Sequence, residues 1–257
     1  SWNTDFCTVI LTVIDNGPTG SRIAGNVSTE TGSGVLNTEI IATAALPEYP
    51  KSEMTNSVGN YAMDILIDTD LKASKDGDDI NGVSTLDLVL IQRHILGLQP
   101  LTSPYKLIAA DANNDGKVTA SDLTEIRKLI LGINTGYTNN TSWRFPIKDQ
   151  IMDASNPFPY KEDVIATPND PNPNYDFVAV KIGDVNGNVT TNVSNPSVEG
   201  RSNRNVVMSV SEQAVEAGEV VEIPVTAANF NDVMGYQFTM NLDGVSYVGI
   251  NAGTLDI

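Results

Sequence analysis

The sequence has one cysteine and one histidine among 257 residues. Cys7 has no second thiol in the chain to pair with, so it is either a free buried thiol or half of a bridge to a partner upstream. With one His and one Cys, zinc sites and Cys/His catalysis have almost no raw material. Basic residues are scarce as well: 15 Lys and Arg stand against 32 Asp and Glu, a net charge of −17. A phosphate backbone or an anionic lipid surface needs a basic face, so this balance speaks against nucleic-acid or membrane partners. No apolar run approaches the ~20 residues of a spanning helix. The N-terminus shows no basic, apolar, cleavable signal pattern.

Catalytic signatures are missing too. There is no Gly-x-Ser-x-Gly, no phosphate-binding Gly-rich loop and no His-Glu-x-x-His. A carboxylate pair for glycoside hydrolysis has no sequence signature and stays open on this ground alone. The expectation is a protein that is not an enzyme.

What is abundant is oxygen. Asp, Glu and backbone-exposing Gly suit a hard cation such as Ca2+, which takes carboxylate and carbonyl ligands. The bland alternative is a solvated acidic surface that keeps a secreted protein soluble. Spacing decides between them at 76–87 and 111–122.

Residues 1–16 read as one strand, with Phe6, Thr8, Ile10, Thr12 and Ile14 alternating with Cys7, Val9, Leu11 and Val13, ended by Asp15-Asn16-Gly17-Pro18. A lone strand needs a sheet, which points to the terminal strand of a preceding immunoglobulin-like domain. Residues 17–75 read as a small β module with strands at Arg22–Ser28, Glu39–Ala45 and Asn60–Ile67. Residues 134–175 look irregular, with six prolines between 146 and 173, and Trp143 and Phe145 are expected to anchor this stretch onto helices. Tyr175–Ile182 reads as a closing strand. Residues 190–205 are polar and read as a linker. From 206 the pattern is β again: Val221, Ile223, Val225 and Ala227 face one way, and Tyr236, Phe238, Met240 and Leu242 alternate with polar residues.

Between these lies an internal repeat with an offset of 35. Asp76, Val83, Asp87, Leu88, Ile91, Ile95, Leu96 and Gly97 recur as Asp111, Val118, Asp122, Leu123, Ile126, Ile130, Leu131 and Gly132. Each copy has an acidic loop, then a capping box, Ser84-x-x-Asp87 or Thr119-x-x-Asp122, whose hydroxyl should satisfy an orphan amide. A helix follows with apolar residues at i, i+3 and i+7, and Gly97 or Gly132 stops it. His94 stands where the second helix has Leu129 and reads as a packing residue.

The loop Asp111-Ala112-Asn113-Asn114-Asp115-Gly116-Lys117-Val118-Thr119-Ala120-Ser121-Asp122 fits a twelve-residue calcium loop. Such a loop puts oxygens at positions 1, 3, 5, 7, 9 and 12 and Gly at 6. The ligands are then Asp111, Asn113, Asp115, the Lys117 carbonyl, Thr119 through a water, and Asp122. A helix follows the loop, but none clearly precedes it. The first copy is degenerate: Asp76, Asp78, Ser84 and Asp87 occupy positions 1, 3, 9 and 12, while Ile80 and Asn81 stand at 5 and 6. It is either vestigial or a second calcium site completed in another register. A third cluster, Asp184-x-Asn186-Gly187-Asn188, opens like such a loop, but its continuation lacks the turn glycine and the terminal acid, so it reads as an Asn-Gly turn.

The phrase Asp-x-Asn-x-Asp-Gly-x-Val-Thr-x-x-Asp-Leu in a duplicated loop–helix resembles the dockerin type I family. The resemblance implies bound Ca2+, a cohesin-like partner and a partner-binding face that would include Gln92, Arg93, Arg127 and Lys128; two solvated helix faces are the plain alternative. That family carries a symmetric pair of loops, from which the first copy departs. Ile23-x-Gly25-x-Val27, Gly34-Val35 and Gly59-Asn60-Tyr61 resemble carboxypeptidase-regulatory-like (prealbumin-like) spacer modules. Gly218-Glu219-x-Val221-x-Ile223-Pro224-Val225, Asn229-Phe230 and Gly235-Tyr236-Gln237-Phe238 resemble the opening of a cohesin β-sandwich.

The expected architecture is multi-domain and mainly β with a small α unit. It comprises a terminal strand (1–16), a β module (17–75), a dockerin-like domain with two helices and a Pro-rich extension (76–189), a linker (190–205) and the start of a cohesin-like sandwich (206–257). The expected role is a non-catalytic, calcium-stabilised interaction segment of an extracellular or cell-surface adhesin, scaffold or filament. The alternative is the appendage of a secreted enzyme that acts on polysaccharide. The orphan strand and the unfinished sandwich could complete each other between copies, giving head-to-tail self-assembly; the plain alternative is that the chain is part of a longer protein.

Overall fold

A computed structural model describes residues 20–192, 207–228, 244 and 246–251. The chain divides into two units, Ser1–Gly200 and Arg201–Ile257. In the first, the elements run β1 (Ser21–Ser28), β2 (Glu39–Thr43), β3 (Lys51–Met54), β4 (Asn60–Ile65), β5 (Thr69–Ser74), α1 (Thr85–Ile95), α2 (Pro104–Ala110), α3 (Ala120–Ile130), β6 (Trp143–Arg144), β7 (Asp163–Ala166), β8 (Phe177–Val178) and β9 (Val180–Lys181). The described residues are thus mainly β with three short helices. The strand proposed for 1–16, with Cys7, lies outside the described residues, as does most of the 190–205 linker.

Two sheets enclose the first core. One has the order β4-β1-β8 and the other β3-β2-β5-β7. Period-two alternation explains the strands: Tyr61, Met63 and Ile65 of β4 and Thr69, Leu71 and Ala73 of β5 are buried, and their neighbours are not. β3 is absent from the sequence reading because Lys51–Met54 is a polar edge strand with little apolar pattern. Gly25 sits opposite Tyr61 in the β1–β4 ladder. A Cβ there would lie 2.1 Å from the Tyr175 carbonyl oxygen, which itself accepts a 2.5 Å hydrogen bond from the Tyr61 hydroxyl. The chain crossing at this point leaves room for glycine alone.

The sheets are not finished by residue 75. β7 pairs with β5, and β8 pairs in parallel with β1. The segments 17–75 and 76–189, expected as separate modules, therefore share both sheets within one compact unit. Trp143 and Phe145 lie in this sheet core, not on the helices; their rings are 6.5 Å apart and nearly parallel.

The second core holds the helices. Leu88 and Ile91 of α1 and Leu123, Ile126 and Leu129 of α3 are buried, along with Ile108 to Ala110 of α2. The wall between the two cores is the segment 177–182. Phe177 and Ala179 belong to the sheet core, while Val178, Val180 and Ile182 belong to the helical core. An extended chain sends successive side chains to opposite faces, so one short segment serves both.

In the second unit, β10 (Val207–Val210) pairs antiparallel with β11 (Val225–Ala228). Both faces of this pair are exposed among the described residues. The alternation expected at Tyr236 to Leu242 lies outside the described residues.

Candidate metal centre

The 111–122 loop lies between two helices. α2 precedes it, contrary to the expectation of no preceding helix. The local signal was present: Ser103 caps the helix by accepting from the Tyr105 amide, and Pro104 takes the first turn, where its missing N–H costs nothing. At seven residues α2 is too short to show a period. Asp111 closes it as C-cap.

Inside the loop, backbone amides point at side-chain oxygens. Asp111 accepts from the Asp115 amide through Oδ1 (3.0 Å) and from the Gly116 amide through Oδ2 (2.9 Å). Asn113 Oδ1 also accepts from the Asp115 amide, and Asp115 Oδ1 from the Lys117 amide. Asp122 reaches back over the loop: Oδ1 accepts from the Asn113 amide (3.1 Å) and Oδ2 from the Thr119 amide (2.8 Å). Asn114 and Gly116 adopt φ of 59° and 79°, the left-handed turns that curl the chain around its acids. Asp111 and Asp122 are buried. Burial pushes the Asp111 carboxyl above the usual carboxylate range; the Asp122 and Asp115 charges add to this, and the Gly116 and Asp115 amides oppose it.

This donor set fits calcium. It combines carboxylates, an amide oxygen, a hydroxyl and a backbone carbonyl, all hard oxygens. Among the described residues, no three His, Cys, Asp or Glu side chains converge into a metal cluster by themselves; a cation in this loop would need the mixed set. A cation held by Asp111, Asn113, Asp115, the Lys117 carbonyl, Thr119 and Asp122 would offset the like-charge repulsion of the three acids.

The first copy is assembled differently. Asp76 Oδ1 accepts from the amides of Gly77 and Ser142, both at 2.9 Å. Asp78 Oδ1 accepts from the Trp143 indole N–H (2.6 Å), and its Oδ2 from the Asn81 side chain. The Lys181 ammonium stands 3.7 Å from Asp78 and donates to the Asp79 and Ser142 carbonyls. Asp76 and Asp78, expected as ligands, are thus engaged by residues 142, 143 and 181, and Lys181 supplies the positive charge at this end.

Ser84 and Asp87 turn elsewhere. Asp87 Oδ2 accepts from the Ser84 amide and hydroxyl, the return half of the expected capping box, in which the Ser84 side chain faces the Asp87 amide. Asp87 Oδ1 accepts from the amides of Val185 and Asn186. The 184–189 turn therefore packs on the start of α1. Asp184 Oδ1 accepts from the Gly187 and Asn188 amides and Oδ2 from the Val189 amide. Burial raises Asp87 to about 6, and the Asp184 charge adds to it against the Ser84 bonds.

Lys181 gives a pH signature. Burial pulls its ammonium down to about 8, against the pull of Asp78, Asp79, Asp184 and Asp76. Above pH 8 the unfolded chain keeps this proton while the fold releases it, so stability rises with pH from about 8 towards 10. Urea midpoints are expected to show a gain of about 1–2 kcal/mol between pH 8 and 9.5 that is lost in Lys181→Met. An equal gain in the variant would mean that Lys181 is not its source.

Of the expected partner-binding residues, Gln92, Arg93 and Arg127 are exposed, and Lys128 is half-buried in an ion pair with Glu125 (2.8 Å). Four exposed apolar side chains flank them: Leu96 and Leu98 after α1, and their repeat equivalents Leu131 and Ile133 after α3. His94 Nδ1 accepts from the Leu101 amide (3.1 Å), a structural tie for the turn after α1.

Among the described residues no helix is long and apolar enough to cross a membrane. No curated protein and no solved structure matches the chain. Residues 76–131, which carry α1, α2, α3 and the whole 111–122 loop, match the dockerin type I domain family, so this part of the chain is a dockerin-like module.

Proposed function

We propose that the chain is a non-catalytic architectural segment of an extracellular or cell-surface protein, in which the dockerin-like module binds Ca2+ at Asp111–Asp122 and docks a protein partner. A dockerin-like module is in general a calcium-dependent protein–protein interaction module and is itself non-catalytic. The observation that carries the calcium assignment is the closed loop between α2 and α3, whose first and last acids are buried with their backbone amides turned onto them. Calcium would act as a structural staple between these helices, and the partner-facing surface would be the exposed flank of α1 and α3. Gln92, Arg93, Arg127 and Lys128 would supply its polar contacts, and Leu96, Leu98, Leu131 and Ile133 its apolar ones. A cohesin-like domain is the partner class the module implies. The sheets of 21–74 with β7 and β8 act in this reading as the rigid spacer that carries the module. The segment from 206 resembles a cohesin-like sandwich and would extend the same architecture.

A calcium titration by calorimetry, with thermal melts in calcium and in chelator, tests the assignment. At a free calcium concentration one hundred times the dissociation constant, a site adds about 2.7 kcal/mol to the fold. Asp111→Ala is expected to lose that site's share of the gain and, in chelator as well as in calcium, to cost about 1–3 kcal/mol, because the buried carboxylate accepts from the Asp115 and Gly116 amides. Absence of binding heat, with the same melt in calcium and chelator, would reduce the loop to a metal-free turn.

A further inference from the structure

We propose that the chain holds a second calcium site built from two segments about a hundred residues apart, Asp184–Val189 and Gly82–Asp87, in place of the contiguous 76–87 loop. The proposal rests on the calcium reading of 111–122, because that loop is its template, and goes beyond it in assigning a site half of which, Asp184–Val189, lies outside the matched 76–131 segment.

The first half of the template is repeated at 184–189. In the 111–122 loop, the acid at position 1 accepts from the amides of positions 5 and 6. Asp184 does the same with Asn188 and Val189, at 3.3 and 2.9 Å. At position 3, Asn113 Oδ1 accepts from the amide of position 5, and Asn186 Oδ1 accepts from the Asn188 amide, both at 3.0 Å. Position 4 is left-handed in both, Asn114 at φ 59° and Gly187 at φ 79°.

The second half comes from the start of α1. Asp122 at position 12 accepts from the amide of position 3 and from the amide of position 9. Asp87 makes the same two bonds, to the Asn186 amide (3.1 Å) and the Ser84 amide (2.9 Å), although Asn186 is 99 residues away. The terminal acid that the 184–189 continuation lacks is thereby supplied by the other segment.

Two further features close the break between positions 6 and 7. The buried Asn81 side chain accepts from the Thr190 amide (3.1 Å) and donates to the Thr190 carbonyl (2.9 Å), clamping one segment to the other. Gly82 would take position 7, where the ligand is a carbonyl. A Cβ there would lie 2.8 Å from Val189 Cα and 3.0 Å from Asp184 Oδ2. Only glycine lets the two halves meet. The donor set is Asp184, Asn186, Asn188, the Gly82 carbonyl, Ser84 and Asp87: all oxygens, with two carboxylates, as a hard cation requires. Asp76 and Asp78, by contrast, are occupied by Ser142, Trp143 and Lys181.

The test is calcium stoichiometry by calorimetry on the full 257-residue chain and on the variants Asp111→Ala, Asp184→Ala, Asn188→Ala and Asp76→Asn. Asn188→Ala keeps every backbone amide and guards against an Asp184→Ala variant that fails to fold; circular dichroism in chelator checks both. The expected result is two sites in the wild type. One is abolished by Asp111→Ala, and the other is abolished by Asp184→Ala and weakened roughly tenfold by Asn188→Ala, as loss of one ligand implies; Asp76→Asn keeps both. One site that vanishes in Asp111→Ala and ignores Asp184→Ala and Asn188→Ala would overturn the proposal and leave the first site standing. One site lost on changing Asp184 but kept in Asp111→Ala would support the proposal and remove the calcium reading of the 111–122 loop. Loss of the second site in Asp76→Asn would return it to the contiguous loop and overturn the two-segment assignment.

Discussion

A chain ending at Ile133 is expected to lose the folded β module, although residues 21–74 and the matched segment 76–131 would both be intact in it. Such a cut removes Trp143, Phe145, Tyr175 and Phe177 from the sheet core, with β7 and β8. Burial of a large apolar side chain contributes about 1.5–3 kcal/mol, so these four alone carry roughly 6–12 kcal/mol. That equals the whole stability of an ordinary domain, about 5–15 kcal/mol. Hydrogen exchange is the suitable readout. In the longer chain the amides of β1 and β5 should be protected; in the shortened one they should exchange at the rate of open chain, in calcium and in chelator alike. Retained protection in the shortened chain would show that 21–74 folds alone and that the shared sheets are incidental.

Trp143→Ala should be the most damaging single substitution in this part of the molecule. The side chain is 1% exposed and stacks near Phe145. Its indole N–H donates to Asp78 at 2.6 Å, and the Lys181 ammonium lies 5.7 Å from the ring centre. Truncating a buried Trp costs about 3–5 kcal/mol through lost contacts and the cavity left behind. For a domain of this size the melting point should fall by roughly 10 °C. Trp143→Phe is expected to fall short of that loss: it keeps one aromatic ring in the core but removes the donor to Asp78, worth about 1–3 kcal/mol, along with part of the buried ring volume. A drop under 1 kcal/mol for the alanine variant, measured by urea unfolding, would mean that the sheet core collapses around the gap or that Trp143 is not part of the cooperative unit.

Both predictions follow from a feature that sequence patterns reveal poorly. The stretch 134–175 has little periodicity and many prolines, yet it supplies three aromatic core residues, Trp143, Phe145 and Tyr175, and one edge strand, β7. The run Tyr175–Ile182 reads as a strand, but nothing in its composition says that its two faces serve different cores. The same holds for α2, whose seven residues are marked by a cap and a proline but not by a repeat of buried positions.

The 111–122 loop and the helices after each capping box were determined by the sequence itself. Their geometry is made of contacts between residues fewer than twelve positions apart, and such contacts leave a regular spacing of acids, amides and apolar residues. The surroundings of the first copy were decided only by the tertiary structure. Asp76 and Asp78 meet Ser142, Trp143 and Lys181, and Asp87 meets Val185 and Asn186, because β8 and β9 return the chain to the start of α1 after about a hundred residues. The position of a returning strand depends on sheet pairing and on which faces of it are buried. Two loops with nearly the same spacing of acids therefore end with different partners.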